Sequence, residues 1–329
     1  MPGTPACGWC APNGSCSRAW PRPPGRHSHA RNAIVARRVR RSACIQGPIL
    51  LAQSNERRYA APVESDSRHR NLADYVNALA ERGQYHFTVP QLRQALGVSA
   101  PAARNALRRL AAKNGIASPA RGFYVIIPPE YRRLGCLPAE QFIPALMERE
   151  GRRYYVGLLS AAQYYGAAHH RPQEFQVFLE SNRRPVECGA VRVAFFARKR
   201  LRDVPTRLFN TPRGPIAVST PEATAIDLAG YPGRAGGLDQ VAMTISELAE
   251  EIDAELLVKA AETAPLPWAQ RLGYLLELGG ADEAAQPLCR FVVSNARDYT
   301  LLAPGAEAPS APRHRRWKLV INMEVEPES

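Results

Sequence analysis

The chemistry most legible in this chain is a run of basic and amide side chains at helical spacing. Arg104, Asn105, Arg108 and Arg109 fall on one side of a helical wheel, opposite Ala103, Leu107 and Leu110. Ser99 stands at the start of that helix, Lys113 at its end, and Arg121 a short way beyond. Residues 99–122 hold four Arg and one Lys and no acid. A guanidinium offers paired donors that match the acceptor edge of guanine, and any such cation also neutralises phosphate. Arg104, Asn105 and Arg108 are therefore expected at base edges, and Arg121 over the phosphate backbone or minor groove. The candidate DNA-contact set is Ser99, Arg104, Asn105, Arg108, Arg109, Lys113 and Arg121.

These side chains need a scaffold, and residues 88–126 supply one. Thr88 caps a short helix bearing Val89, Leu92, Ala95 and Leu96. Gly97 ends it, because glycine adopts the left-handed conformation at little cost. Ser99 then caps the second helix, with Pro101 in its first turn. Ile116–Ser118 and Phe123–Ile127 read as two strands around a Pro119-Ala120-Arg121-Gly122 turn. Upstream, Leu72, Tyr75, Val76, Leu79 and Ala80 form one more amphipathic helix ended by Gly83, and His86-Phe87 a short third strand. The whole predicts a winged helix-turn-helix whose second helix enters the major groove. The plain alternative is a helical hairpin with solvated arginines; turn, caps, basic face and wing together favour the former.

At 329 residues the chain accommodates two domains. Its 45% hydrophobic content is that of a globular protein, and no apolar run is long enough to span a bilayer. A formal net charge of +13 suggests a polyanionic partner. The charge is uneven: residues 1–70 hold twelve Arg against three acids, and residues 222–262 nine acids against two bases. DNA-facing charge thus belongs to the N-terminal part. Lys occurs four times against 39 Arg, which reflects mainly genomic composition, so only the placement of Arg on the second helix carries weight.

Seven cysteines without a framework argue against a disulfide scaffold. The first 66 residues are rich in Arg and Pro and lack periodicity, and read as a disordered extension, a transit-like segment or translated upstream sequence. Cys7, Cys10, Cys16, His27 and His29 match no strong zinc template.

The chain offers no convincing catalytic site. It has no Walker loop, no G-x-S-x-G, no H-E-x-x-H and no nucleotidyltransferase-like Gly-Ser with D-x-D. His169 and His170 are adjacent and so poorly placed to share a metal. Glu222 and Asp227 are better explained by capping and a buried polar contact. A nuclease built on Glu174, Glu180 and Glu187 lacks a carboxylate–x–Lys element. No enzyme activity, cofactor or metal is expected. The competing classes are a winged-helix DNA-processing enzyme, nuclease-like, with an unrecognised site, and a ligand-sensing transcription factor.

After a Pro-rich connection over 128–140, the rest reads as mixed α+β. Helices are expected at 140–150, 222–228, 237–249, 253–262 and 267–278, and strands at 174–179, 191–196, 213–218 and 317–325. Thr220 and Pro221 begin the helix that carries Glu222. The motifs YYVGLLSAAQYYG, VSTPEATAIDL, QRLGYLLEL and RRWKLVINMEVE occur in this order after the winged helix. In that order and spacing the chain resembles the AbiEi-type antitoxins of bacterial abortive-infection, type IV toxin–antitoxin systems, over roughly residues 68–326. The resemblance implies an N-terminal winged helix that binds operator DNA, expected as inverted repeats, and represses the antitoxin–toxin operon. It also implies a C-terminal domain that aids repression and counteracts a nucleotidyltransferase toxin. The first 66 residues depart from the family pattern. The expected layout is an extension over 1–66, a winged helix-turn-helix over 67–130 and an antitoxin domain over 131–329. Such a protein is expected in the cytoplasm at the nucleoid, without a membrane partner, as a monomer or weak dimer.

Overall fold

The computed structural model describes residues 70–167, 172–306 and 310–326, all within one compact unit, Val63–Ser329. The expected extension over 1–66, with its Cys and His residues, and the pair His169-His170 lie outside the described residues.

The N-terminal elements follow their caps. Asn71 Oδ1 accepts from the Ala73 and Asp74 amides and starts α1 (Leu72–Glu81). After β1 (His86–Thr88), Thr88 and Gln91 form a reciprocal capping box at the head of α2 (Val89–Leu96), which Gly97 closes at φ 62°. Ser99 Oγ accepts from the Ala102 amide and opens α3 (Ala100–Ala112). The strands β2 (Ile116–Ala120) and β3 (Phe123–Ile126) form a hairpin, and β1 joins the other side of β3. A core of Leu72, Tyr75, Phe87, Leu92, Leu107 and Ile126 holds these elements together.

The hairpin departs from expectation in one respect. Pro119 and Ala120 stay in β2, so the turn narrows to Arg121-Gly122. The register shifts between Ala117 and Ala120, a bulge at which a proline without an N–H costs no ladder bond. Ser118 Oγ donates to the Ala120 and Phe123 carbonyls there, and Gly122 at φ 73° permits the tight reversal.

The rest of the chain builds a six-stranded mixed sheet between helices. In chain order come α4 (Ala139–Glu150), β4 (Tyr154–Val156), α5 (Leu158–Ala162), β5 (Phe175–Leu179), β6 (Val186–Cys188), β7 (Val191–Ala197), β8 (Thr206–Thr211) and β9 (Gly214–Ser219). Then follow α6 (Pro221–Gly230), α7 (Leu238–Leu248), α8 (Ala254–Glu262), α9 (Leu266–Leu278) and α10 (Asp282–Asn295). The strand order is β6-β7-β5-β4-β9-β8, with β5/β7 and β4/β9 parallel. Alternation along β5 sorts its side chains: Val177 and Leu179 join Phe142, Ile143, Leu146 and Met147 of α4, while Phe178 joins the helical core on the other face. The fold is mixed α+β, as the sequence predicts.

Four details were not anticipated. β6 is only three residues long, and β8 is an exposed edge without apolar alternation. The helix α10 runs through Pro287 after a Gly-Gly break, both of which mask it. The strand expected over 317–325 is a correction: only β12 (Leu319–Val320) pairs, between β10 (Thr300–Leu301) and β11 (Arg313–His314). Lys318 at φ 47° breaks the extended run, and the Asn322 side chain instead bonds Ala303 N and O. The alternation there reflects burial of Trp317, Leu319 and Val325 against the helices.

Candidate nucleic-acid interface

Helix α3 buries Ala103 and Leu107 and exposes Arg104, Asn105, Arg108 and Arg109. Lys113, the C-cap residue, and Ser99, the N-cap residue, are exposed at its ends. The Ser99 hydroxyl is engaged in its cap, so its spare capacity is one lone pair and a proton. Four of the seven predicted contact residues thus share α3, with Ser99 and Lys113 capping its two ends; Arg121 sits apart, exposed in the hairpin turn.

That turn is seated on the second sheet. Arg149 Nη2, from the last turn of α4, donates to the Arg121 carbonyl at 2.9 Å, and its guanidinium lies 5.8 Å from the Phe123 ring centroid. An open cleft of about 520 Å³ runs beside the turn, lined by Arg121, Arg149, Arg183 and Arg184 with the acid Glu150. Glu150 is held by Arg183 through two bonds of 2.8 and 3.0 Å. The Arg183 hydrogen bond keeps the Glu150 carboxyl below its ordinary range, against a smaller opposing effect of burial. Sequence reasoning missed Arg149, Arg183 and Arg184, because Glu148-Arg149-Glu150 looks like any solvated helix end.

The hairpin also shares a core with the second sheet. Phe123 and Val125 are fully buried among Phe142, Met147, Leu179 and Val193. Arg213, in the β8–β9 turn, stacks 3.3 Å from the Tyr85 ring centroid. The apolar cluster therefore crosses residue 130.

The family-like motifs prove to be core. In VSTPEATAIDL, Thr220 Oγ1 caps α6 by accepting from Ala223 N, and Ser219 Oγ lies 2.7 Å from Thr224 Oγ1. Buried Glu222 reaches across to accept from the amide of Asp253, the N-cap of α8. Asp227 is fully buried and pairs with Arg198, and Tyr155 Oη donates to its other oxygen at 2.9 Å. Arg198 also reaches Thr263 Oγ1 at 3.1 Å and lies over the Trp268 ring. Burial pushes the Tyr155 hydroxyl well above its ordinary value, so it stays protonated and donates. Further on, Gly273 of QRLGYLLEL lies flush under Trp317 of RRWKLVINMEVE, whose indole donates to Glu277 at 2.6 Å. Two motifs separated in sequence clasp each other.

Among the described residues no three His, Cys, Asp or Glu side chains cluster as metal ligands, and no helix is long and apolar enough to cross a membrane.

Residues 155–278 match the family described as the AbiEi antitoxin C-terminal domain. No curated protein matches the chain. Among solved structures the chain is similar to the RV2827C protein from Mycobacterium tuberculosis, with a TM-score of 0.57 and 20% identity. That match covers 74% of this chain and 89% of the other, and is a likeness of fold alone. The motif order and the family match agree: residues 155–278 resemble the C-terminal domain of the AbiEi-type antitoxins.

Proposed function

We propose that the chain is the antitoxin of a type IV toxin–antitoxin system that represses its own operon and counteracts a nucleotidyltransferase toxin. In this reading residues 67–130 are a winged helix-turn-helix and α3 is the major-groove reader. Arg104, Asn105 and Arg108 read base edges, while Arg109 and Lys113 neutralise phosphates and Arg121 lies on the backbone as the tip of the wing. Arg149 and Arg184, beside that tip, extend the same positive surface along the duplex. The observation that carries the reading is the exposed face of α3, basic and free of acids, in a chain whose residues 155–278 match an antitoxin domain.

Antagonism of the toxin belongs, on this reading, to the C-terminal domain. The exposed acids of 222–262, which include Asp239, Glu250, Glu251 and Glu255, form a surface that DNA avoids. The reaction class of the toxin comes from the family resemblance alone. The experiment is co-expression with a nucleotidyltransferase toxin of the class that the resemblance implies, scored by colony growth. Growth should be restored by the full chain and also by an Arg104→Ala/Arg108→Ala variant that no longer reads the operator. Protection lost in that variant would mean that antagonism runs only through silencing of the operon.

A further inference from the structure

We infer that Cys136 and Cys188 form a redox-active dithiol, a modification site that a small peroxide closes to a disulfide between the segment leaving the hairpin and β6. The two lie 52 positions apart in sequence, yet their backbones run against each other. Ala190 N donates to Leu134 O at 2.8 Å. A Cβ on Gly189 would lie 2.2 Å from Leu134 O and 2.7 Å from the Gly135 carbonyl carbon. Two glycines are thus what lets the cysteine-bearing segments close up. Both thiols belong to the core cluster beneath the hairpin, Cys136 with no exposure and Cys188 with 7%.

The thiols hydrogen-bond each other, and the Ser118 amide of β2 also donates to the Cys188 sulfur. The bond from Cys136 lowers the Cys188 thiol below its ordinary value, against the effect of burial and with help from the Ser118 amide. Cys136 is pushed the other way, first by that shared bond and then by burial. Cys188 is the attacking sulfur and Cys136 the resolving one. Cys188 also lies on β6, the edge strand of its sheet, and is the less deeply buried of the two.

The reaction balances with hydrogen peroxide as oxidant. The Cys188 thiolate attacks one peroxide oxygen, the O–O bond breaks, and the departing hydroxide takes a proton to leave as water. Cys188 is then a sulfenic acid. The Cys136 sulfur displaces hydroxide from the Cys188 sulfur, losing its own proton to it. Two thiols and one peroxide give one disulfide and two waters. In a reducing compartment such a bond is transient.

The test uses the full chain, fully reduced and then exposed to a small excess of hydrogen peroxide. Remaining thiols are alkylated and the protein is digested with trypsin without reduction. Residues 134–149 and 184–192 are the tryptic peptides that carry Cys136 and Cys188. The expected product is these two joined, two hydrogens lighter than their sum, and separated again by reductant. In Cys136→Ala, Cys188 should stop at the sulfenic acid and be trapped by a dione reagent. Recovery of both peptides alkylated, or of over-oxidised Cys188 without a cross-link in the wild-type chain, overturns the inference. The wild-type measurement does not depend on any variant folding.

Discussion

Arg149 and Arg121 are joined by a hydrogen bond from a guanidinium of α4 to the carbonyl at the hairpin tip, 2.9 Å long. The contact fixes the turn that carries the Arg121 side chain relative to the second sheet. An exposed hydrogen bond from a charged donor contributes about 1–1.5 kcal/mol. Arg149→Ala is therefore expected to weaken binding of the full chain to its promoter DNA about 5- to 10-fold without changing sequence preference. Arg121→Ala should weaken all sequences alike and flatten the salt dependence by roughly one. Titrations at several salt concentrations check both; a change in base preference in either variant would place these residues in the groove instead.

Gly273 and Trp317 set a stability prediction. A Cβ at Gly273 would lie 2.1 Å from the Trp317 ring, which is fully buried and cannot swing aside. Gly273→Ala is expected to cost about 1–3 kcal/mol by overpacking. Thermal or denaturant unfolding measures it, and an unchanged midpoint would mean that the two motifs do not clasp in solution.

Asp227 gives a larger effect. Removing its carboxylate leaves the Arg198 guanidinium buried without its partner, a change of about 3–5 kcal/mol. Asp227→Ala should lower the urea midpoint sharply. The double variant Asp227→Ala/Arg198→Met should recover part of the loss, because replacing both charges removes the uncompensated one. Equal loss in single and double variants would show that packing, not charge, dominates there.

These three cases show how much was legible beforehand. The caps at Thr88, Ser99 and Thr220 and the turn at Gly97 are local, and each formed where the residue types demanded. The exposed face of α3 followed from helical spacing alone. An acid at 227 amid Ala, Ile and Leu implied a buried partner but could not name Arg198, which lies 29 positions away on another element. Arg149 beside Arg121 was hidden for the same reason. β8 escaped because Leu208 and Phe209 are adjacent in an otherwise polar edge strand and give no alternation, and the run 317–325 misled because burial against helices also alternates.

His86 makes the seating of the hairpin sensitive to pH. Burial lowers its imidazole below the ordinary 6.5, with Glu148 opposing, and the ring stacks on Phe123. Above 6.5 the imidazole is neutral in both states and stability is independent of it. As pH falls below 6.5 the unfolded chain takes up a proton that the folded one resists, so stability falls until the folded imidazole also titrates. His86→Gln should flatten that part of the stability–pH curve. A wild-type curve that rises as pH drops from 7 to 5, relative to the variant, would contradict this burial.

The most direct measurement is competition binding of the full chain to its own promoter against single-base variants of the bound site, for wild type, Arg104→Ala and Arg108→Ala. The account predicts that wild type prefers its site and that each substitution relaxes preference at one position of each half-site, by about 1–3 kcal/mol. No preference in the wild-type chain, or an unchanged preference in both variants, would contradict α3 as the reading helix.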